Sequence, residues 1–116
     1  MDVIEIKDLL LRTIIGVNPE ERINRQDVLI NIALFADIRA AGHSDDITET
    51  VNYKSVTKRV IALVEQSQFL LVEKLAEQVA AACLEEPRVE RVRVSVEKPG
   101  AVRFARSVGV TIERSR

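Results

Sequence analysis

The chain has 116 residues, of which 47% are hydrophobic and 30% are charged, a composition typical of one globular domain spanning residues 1–116. The net charge is −1 and only 3% of the residues are aromatic, whereas a nucleic-acid binder normally has a basic surface and aromatic residues on which bases stack. Nucleic acid is therefore not an expected partner. No apolar run approaches the roughly 18 residues of a membrane span, and the opening "MDVIEIKD" is acidic, so we expect a cytoplasmic protein without a membrane segment.

The first third of the chain predicts two long strands. Residues 2–16 begin with alternating apolar and charged residues and become rich in β-branched residues and leucine up to Gly16, which predicts the first strand. After the polar stretch "NPEERINRQ", strict alternation predicts a second strand with one apolar face, formed by Val28, Ile30, Ile32, Leu34 and Ala36. The connection is too short for a parallel crossover, so the two strands should be antiparallel.

The rest of the chain predicts two helices followed by two strands. Residues 40–52 read as a polar connection, and the apolar period then becomes helical over about 53–66 and again over about 70–85, where Pro87 prevents continuation. Alternation returns in "VERVRVSVEK", residues 89–98, and in "AVRFARSVGVTIER", residues 101–114, which predict the third and fourth strands.

The predicted order is therefore ββααββ, an α+β fold with one antiparallel sheet and both helices on one face. Such a sheet has two unpaired edges and an uncovered second face, and its first two strands are longer than a small monomer needs. Pairing those edges with further copies of the chain would remove both problems, so we predict an oligomer.

Four side chains are candidates for chemistry, although each also has an ordinary structural interpretation. Lys98 ends a strand before Pro99 and Gly100, where a lysine is usually a solvated charge. Tyr53 opens the first predicted helix, and Glu73 lies in the first turn of the second, where a carboxylate favourably meets the helix dipole. Glu21, next to Glu20, falls in the loop between the first two strands, where carboxylates are mostly solvated.

The remaining reactive residues do not suggest a metal or nucleophile. The single histidine, His43, lies in a polar stretch without cysteine or histidine companions, so no metal site is expected. The single cysteine, Cys83, is surrounded by alanine and leucine and is predicted to be a buried helix residue.

The candidate residues occur in an order that resembles the dihydroneopterin aldolase family over nearly the whole chain. The matching motifs are "IGV" at 15–17, "INI" at 30–32, "SDDI" at 44–47, "VNY" at 51–53, "LLVEKLAE" at 70–77, "KPGA" at 98–101 and "VGVTIER" at 108–114. The resemblance implies the tunnelling fold (T-fold), in which four such subunits close their sheets into a β-barrel ring and two rings commonly stack into an octamer.

The resemblance also implies a pterin-binding pocket. Glu73 matches the family's pterin anchor, a carboxylate that accepts both hydrogen bonds from the 2-amino group and N3–H of the ring. Backbone groups around Val51, Leu71 and Val72 resemble the remaining lining of the pocket.

The implied reaction is retro-aldol cleavage of the 7,8-dihydroneopterin side chain to 6-hydroxymethyl-7,8-dihydropterin and glycolaldehyde. The substrate's own C6=N5 imine accepts the electrons, so no metal and no cofactor are implied. Lys98 would be the cation near N5. Tyr53, contributed by a neighbouring subunit in the family, would pass protons at the 2′-hydroxyl and at C1′, with Glu21 and a water molecule assisting.

Two alternatives remain open at this point. "LRTIIG", "NRQDVLIN", "NYKSVTKRVI" and "RFARSVGV" resemble the dihydroneopterin triphosphate 2′-epimerase branch, for which a basic rim of Arg103, Arg106, Arg12 or Lys54 is conceivable. That branch tends to carry a histidine where this chain has Gly100, so the aldolase is the preferred interpretation. A non-catalytic pterin-binding ring is the second alternative.

Overall fold

In the computed structural model, which describes residues 1–116, three helices and two 3-10 turns accompany a four-stranded antiparallel sheet of order β1-β2-β3-β4. The elements in chain order are β1 (Asp2–Thr13), a 3-10 turn (Pro19–Arg22), β2 (Gln26–Ala36), α1 (Arg39–Ser44), a second 3-10 turn (Ile47–Glu49), α2 (Tyr53–Gln66), α3 (Val72–Leu84), β3 (Arg91–Pro99) and β4 (Ser107–Ser115). α2 packs on β1, and α3 packs on β3 and β4. The predicted α+β class with one antiparallel sheet is confirmed.

The core lies between α2, α3 and one face of the sheet. The predicted apolar face of β2 is buried along its length, and the even-numbered valines of β3 extend that face across the sheet. The helices contribute their apolar stripes, which include Val56, Val60 and Val64 of α2 and Leu75 and Val79 of α3. Strand alternation and helical period therefore converge on one apolar layer, as the sequence pattern requires.

A bulge in β1 keeps its apolar residues on the core side. The pairing with β2 shifts between Ile6 and Leu9, and Asp8 adopts a left-handed conformation with φ 56° while its N–H donates to Asn31 Oδ1 at 2.8 Å. One extra residue reverses the parity, so Ile6 before the bulge and Leu11 after it both pack against the core.

Three predicted features were wrong: the end of the first strand, the polar connection 40–52 and the start of the fourth strand. The fourth strand, β4, begins at Ser107 instead of residue 101, because the residues before it form a turn in which Phe104 has a left-handed φ of 70°. β1 ends at Thr13 instead of residue 16, because Thr13 pairs with Gln26, the first residue of β2, and no partner strand exists beyond it. The polar connection 40–52 contains α1 and a 3-10 turn, which Asp46 caps by accepting a hydrogen bond from Thr48 N–H. The order is therefore ββαααββ, with a short additional helix before the two predicted ones.

The two outer strands, β1 and β4, each leave one edge unpaired, and β4 carries no fully buried residue. No helix in the chain is both long enough and apolar enough to cross a membrane. Cys83 is buried in α3 as predicted, and burial raises the pKa of its thiol to about 12.

Candidate active site

The buried face of the sheet becomes polar at one end. Gln26 is in phase with Val28 and Ile30 on β2, and Lys98 is in phase with Val94 and Val96 on β3, so both side chains continue the apolar rows towards the helix-covered side. Strand periodicity thus places a lysine and an amide where the core ends, rather than on the solvated face.

Lys98 pairs with Glu21 at this end of the sheet. The Nζ–Oε2 distance is 2.6 Å, and the two side chains are only 15% and 17% exposed. The same carboxylate accepts from Gln26 Nε2 at 3.0 Å and from Asn18 N–H at 3.1 Å. Hydrogen bonds from Gln26 and then Lys98 lower the pKa of Glu21 from 4.5 to about 2, so Glu21 is ionised at neutral pH.

Gly16 leaves the space that Glu21 occupies. Its φ is +119°, and a Cβ atom at this position would lie 2.2–2.3 Å from the Glu21 carboxylate. Only glycine combines this backbone conformation with so close an approach. The segment from Gly16 to Glu21 forms one side of the site and is called the turn wall (residues 16–21).

The opposite side is formed by the segment that leads into α3, the helix wall (residues 68–73). Together the two walls and the end of β3 enclose an open pocket of about 310 Å³, lined by residues 16–18, Glu21, residues 70–73, Lys98, Ala101 and Val108. Its size suits a small ligand. Glu73 lies in the first turn of α3, is exposed, and has no hydrogen-bond or ion-pair partner within the chain.

The structure brings together five of the seven predicted site residues. Glu21, Leu71, Val72, Glu73 and Lys98 all line the pocket.

The other two lie outside that pocket. Tyr53 is the first residue of α2 and is 51% exposed, while Val51 is buried in the hydrophobic core at 1% exposure. Neither contributes to the pocket of its own chain.

Gln26 and Arg22 were missed by the sequence interpretation. Gln26 could have been found from its phase with Val28, because a polar residue that continues a buried row must have a partner. Arg22, whose guanidinium bonds backbone carbonyls of both walls, left no comparable signal.

The pocket therefore combines a free carboxylate on one wall with a cation held by a second carboxylate on the other. The free carboxylate of Glu73 can accept hydrogen bonds from a ligand that presents adjacent N–H donors. The ammonium group of Lys98 can stabilise negative charge that develops on a ligand. No group of three or more His, Cys, Asp or Glu side chains is arranged to hold a metal ion.

Sequence comparison identifies the relatives of this chain. The family description "Dihydroneopterin aldolase" matches residues 4–113. The chain belongs to the dihydroneopterin aldolase family. The dihydroneopterin aldolase of Escherichia coli is 39% identical over 98% of this chain and 93% of its own length. The dihydroneopterin triphosphate 2′-epimerase of Pseudomonas aeruginosa is 41% identical over 97% of this chain and 92% of its own.

A longer relative contains the same region as one part. The folic acid synthesis protein FOL1 of Dictyostelium discoideum is 44% identical over 99% of this chain, which spans only 18% of that protein's length.

Solved structures of dihydroneopterin aldolases share the fold. The E. coli enzyme in complex with neopterin has a TM-score of 0.95 at 38% identity, covering 99% of this chain and all of that one. The Burkholderia enzyme bound to guanine has a TM-score of 0.84 at 28% identity, covering 99% of this chain and 91% of that one.

Proposed function

We propose that this protein is a 7,8-dihydroneopterin aldolase of folate biosynthesis, which cleaves its substrate to 6-hydroxymethyl-7,8-dihydropterin and glycolaldehyde. The observation that carries this proposal is the pocket itself, which is lined both by the partly buried Lys98–Glu21 ion pair and by the unpartnered carboxylate of Glu73. Family membership with the aldolases supports it independently.

Glu73 binds the pterin ring in this proposal. A dihydropterin presents its 2-amino group and N3–H as parallel donors, and an ionised carboxylate satisfies both with charge-assisted bonds. Glu73 supports this role because its carboxylate has no partner in the chain. The backbone of Leu71 and Val72, at the start of α3, would line the pocket beside the ring.

The chemical step needs proton transfer and charge stabilisation. The 2′-hydroxyl loses its proton as C2′ becomes the aldehyde carbon, and the electron pair of the C1′–C2′ bond moves through C1′=C6 to N5. Lys98 stabilises the charge at N5 by electrostatics or by donating a proton, which returns when C1′ is protonated. The net change moves one proton from the 2′-oxygen to C1′, so the atoms balance without another reactant.

Glu21 holds Lys98 in place for this step. Its carboxylate is fixed by Gln26 and Asn18 and ionised at neutral pH, so it is a charge partner for the lysine ammonium group. We propose that it also orients a water molecule that assists proton transfer.

Tyr53 is proposed to act in the pocket of a neighbouring subunit, within a tetrameric ring or an octamer of two rings. The unpaired edges of β1 and β4 support assembly, as does the side chain of Phe104, which is 98% exposed. The radius of gyration, 15.3 Å, exceeds the roughly 13 Å of a compact chain of this length, as expected for an open plate. Val51, just before α2, would contribute its backbone to the same interface site.

Subunit mixing tests this assembly. Tyr53→Phe and Lys98→Met should each be nearly inactive alone, but random mixing after dissociation should restore about a quarter of the sites, because one interface in four then combines both wild-type residues. If the mixture stays inactive although mass spectrometry shows mixed oligomers, Tyr53 and Lys98 belong to the same subunit's site.

Product analysis tests the aldolase. Purified protein is incubated anaerobically with 7,8-dihydroneopterin, without added metal, and the pterins are separated by chromatography while glycolaldehyde is assayed. Equal amounts of 6-hydroxymethyl-7,8-dihydropterin and glycolaldehyde are expected. Binding of the pterin without turnover would instead favour a non-catalytic binding ring and contradict the proposal.

A 2′-epimerase acting on dihydroneopterin triphosphate is the second candidate, because the Pseudomonas epimerase is as similar to this chain as the aldolases are. Epimerisation can use the same cleaved intermediate, with the aldehyde re-added before it leaves. If monapterin appears with little glycolaldehyde, the triphosphate should be tested, and faster turnover of it would replace the aldolase assignment.

A further inference from the structure

Arg22 connects the two walls of the pocket. Its Nη1 donates to Gly16 O at 2.9 Å on the turn wall and to Phe69 O at 3.0 Å on the helix wall, and its Nη2 donates to Gln68 O at 2.5 Å. A direct backbone bond, Gly16 N–H to Phe69 O at 3.4 Å, lies beside it. One guanidinium thus contacts the neighbouring turn wall and also two carbonyls that lie 46 and 47 residues further along the sequence.

The guanidinium of Arg22 bonds the backbone and not a carboxylate. Arg22 is half-buried, makes no ion pair, and donates to neutral backbone carbonyls only, although Glu20 and Glu21 are its neighbours in the chain. Loop carbonyls at the end of a core need donors, and the planar fork of a guanidinium can reach several in one geometry. Lysine, a compact point charge, could not hold the same set.

The contacts lie directly behind the residues that carry the chemistry. Gly16 and Arg22 flank the turn that presents Glu21 to Lys98, and Gln68 and Phe69 precede the first turn of α3 with Glu73. The link therefore connects the cation side of the pocket with the segment that carries the free carboxylate.

We propose that Arg22 is a positioning residue, which sets the separation of the turn wall from the helix wall. It thereby keeps Glu73 at the distance from the turn wall that ligand binding requires. The inference rests on the proposed function for its ligand. Without the link, the two walls sample wider separations, and the apparent affinity falls by the fraction of molecules in the competent arrangement. The Lys98–Glu21 pair keeps its own contacts, so a bound substrate should still react.

The test compares Arg22→Met with Arg25→Met. Arg25 is a matched control, because it lies three residues further along and its Nη1 donates to a single carbonyl, Glu65 O, at 3.0 Å on α2. Arg22→Met should raise both KM for dihydroneopterin and the dissociation constant for neopterin about tenfold, with kcat within about twofold. Arg22→Lys should lie between Arg22→Met and wild type, and Arg25→Met should match wild type.

The neopterin dissociation constant decides the proposal even if the aldolase assignment fails. A change of less than twofold in Arg22→Met, an equal change in Arg25→Met, or a loss of kcat alone would overturn the positioning role. If Arg22→Met does not fold, Arg22→Lys is decisive in the same way, and an unchanged dissociation constant overturns the proposal.

Hydrogen exchange separates the two proposals when the wild type binds no neopterin. That result refutes the aldolase, but the Gly16 amide still reports the contact between the walls. Its exchange should be at least about tenfold faster in Arg22→Met and unchanged in Arg25→Met. Equal rates in wild type and Arg22→Met would overturn the proposal.

Discussion

Replacing Glu21 by glutamine should destabilise the protein in a pH-dependent way. The pKa of Glu21 falls from 4.5 to about 2 in the folded protein, chiefly through hydrogen bonds from Gln26 and Lys98. At about 1.4 kcal/mol per pKa unit, this corresponds to at most about 3.5 kcal/mol of stability. A glutamine keeps one acceptor oxygen for Gln26 or Asn18 but leaves Lys98 without its charge partner, so we expect a loss of about 2 kcal/mol at pH 7.

The sign of the pH dependence follows from the lowered pKa. The stabilising contribution of Glu21 is fully present above pH 4.5, the ordinary value, and is lost as the pH falls through about 2. The difference between wild type and Glu21→Gln should therefore shrink to less than half between pH 7 and about pH 3.

Urea unfolding followed by far-ultraviolet circular dichroism, at fixed protein concentration, measures this difference at both pH values. Glu20→Gln is the matched control, because Glu20 is exposed and its side chain makes no hydrogen bond or ion pair. The reasoning is refuted if Glu21→Gln is as stable as Glu20→Gln at pH 7, or if the difference persists undiminished at pH 3.

Three further predictions concern binding, backbone conformation and thiol reactivity. Lys98→Met should lower kcat at least about a hundredfold and change the neopterin dissociation constant by less than threefold, while Glu73→Gln should weaken neopterin binding more than tenfold. If both variants change kcat and the dissociation constant equally, Lys98 and Glu73 do not have the separate catalytic and binding roles proposed for them. Gly16→Ala should lower the unfolding free energy by about 2 kcal/mol or more, because the alanine would have a φ of +119° and its Cβ would clash with Glu21. Gly42→Ala is the control and should not lower stability, because a Cβ at Gly42 meets nothing within 4 Å. Equal thermal midpoints for the two variants would disprove the strain argument. Cys83 should resist thiol reagents at pH 8 in the native protein and react fully in guanidinium chloride, because burial raises its pKa to about 12; rapid native labelling would show that α3 opens readily.

The regular elements could be predicted where one periodicity dominates. α2 occupies 53–66 as predicted, because Asn52 caps the helix by accepting a hydrogen bond from Ser55 N–H and the apolar stripe follows from Val56. The face of β2 was predicted correctly because alternation is strict there. α1 was missed because its six residues, none of them buried, have no apolar stripe to detect.

The site was predicted by resemblance more than by local pattern. Glu21 reads as a solvated loop carboxylate, and its contact with Lys98 depends on how the loop after β1 folds back over the sheet, which no short window of sequence contains. The parity of Lys98 with the buried valines was available in the sequence and favoured an inward-facing lysine. The position of Val51 in the core of its own chain could not be separated from a site role without the structure.

The Lys98–Glu21 ion pair joins residues that are 77 positions apart, and this separation has a consequence for folding. Bringing together two residues so far apart costs conformational entropy before the ion pair contributes any favourable free energy. We therefore expect the pair to form after β2 and β3 have paired and the intervening helices have docked, among the last contacts of the folding reaction. During synthesis, Glu21 is made 77 residues before Lys98, so its carboxylate has no ion-pair partner until β3 has left the ribosome.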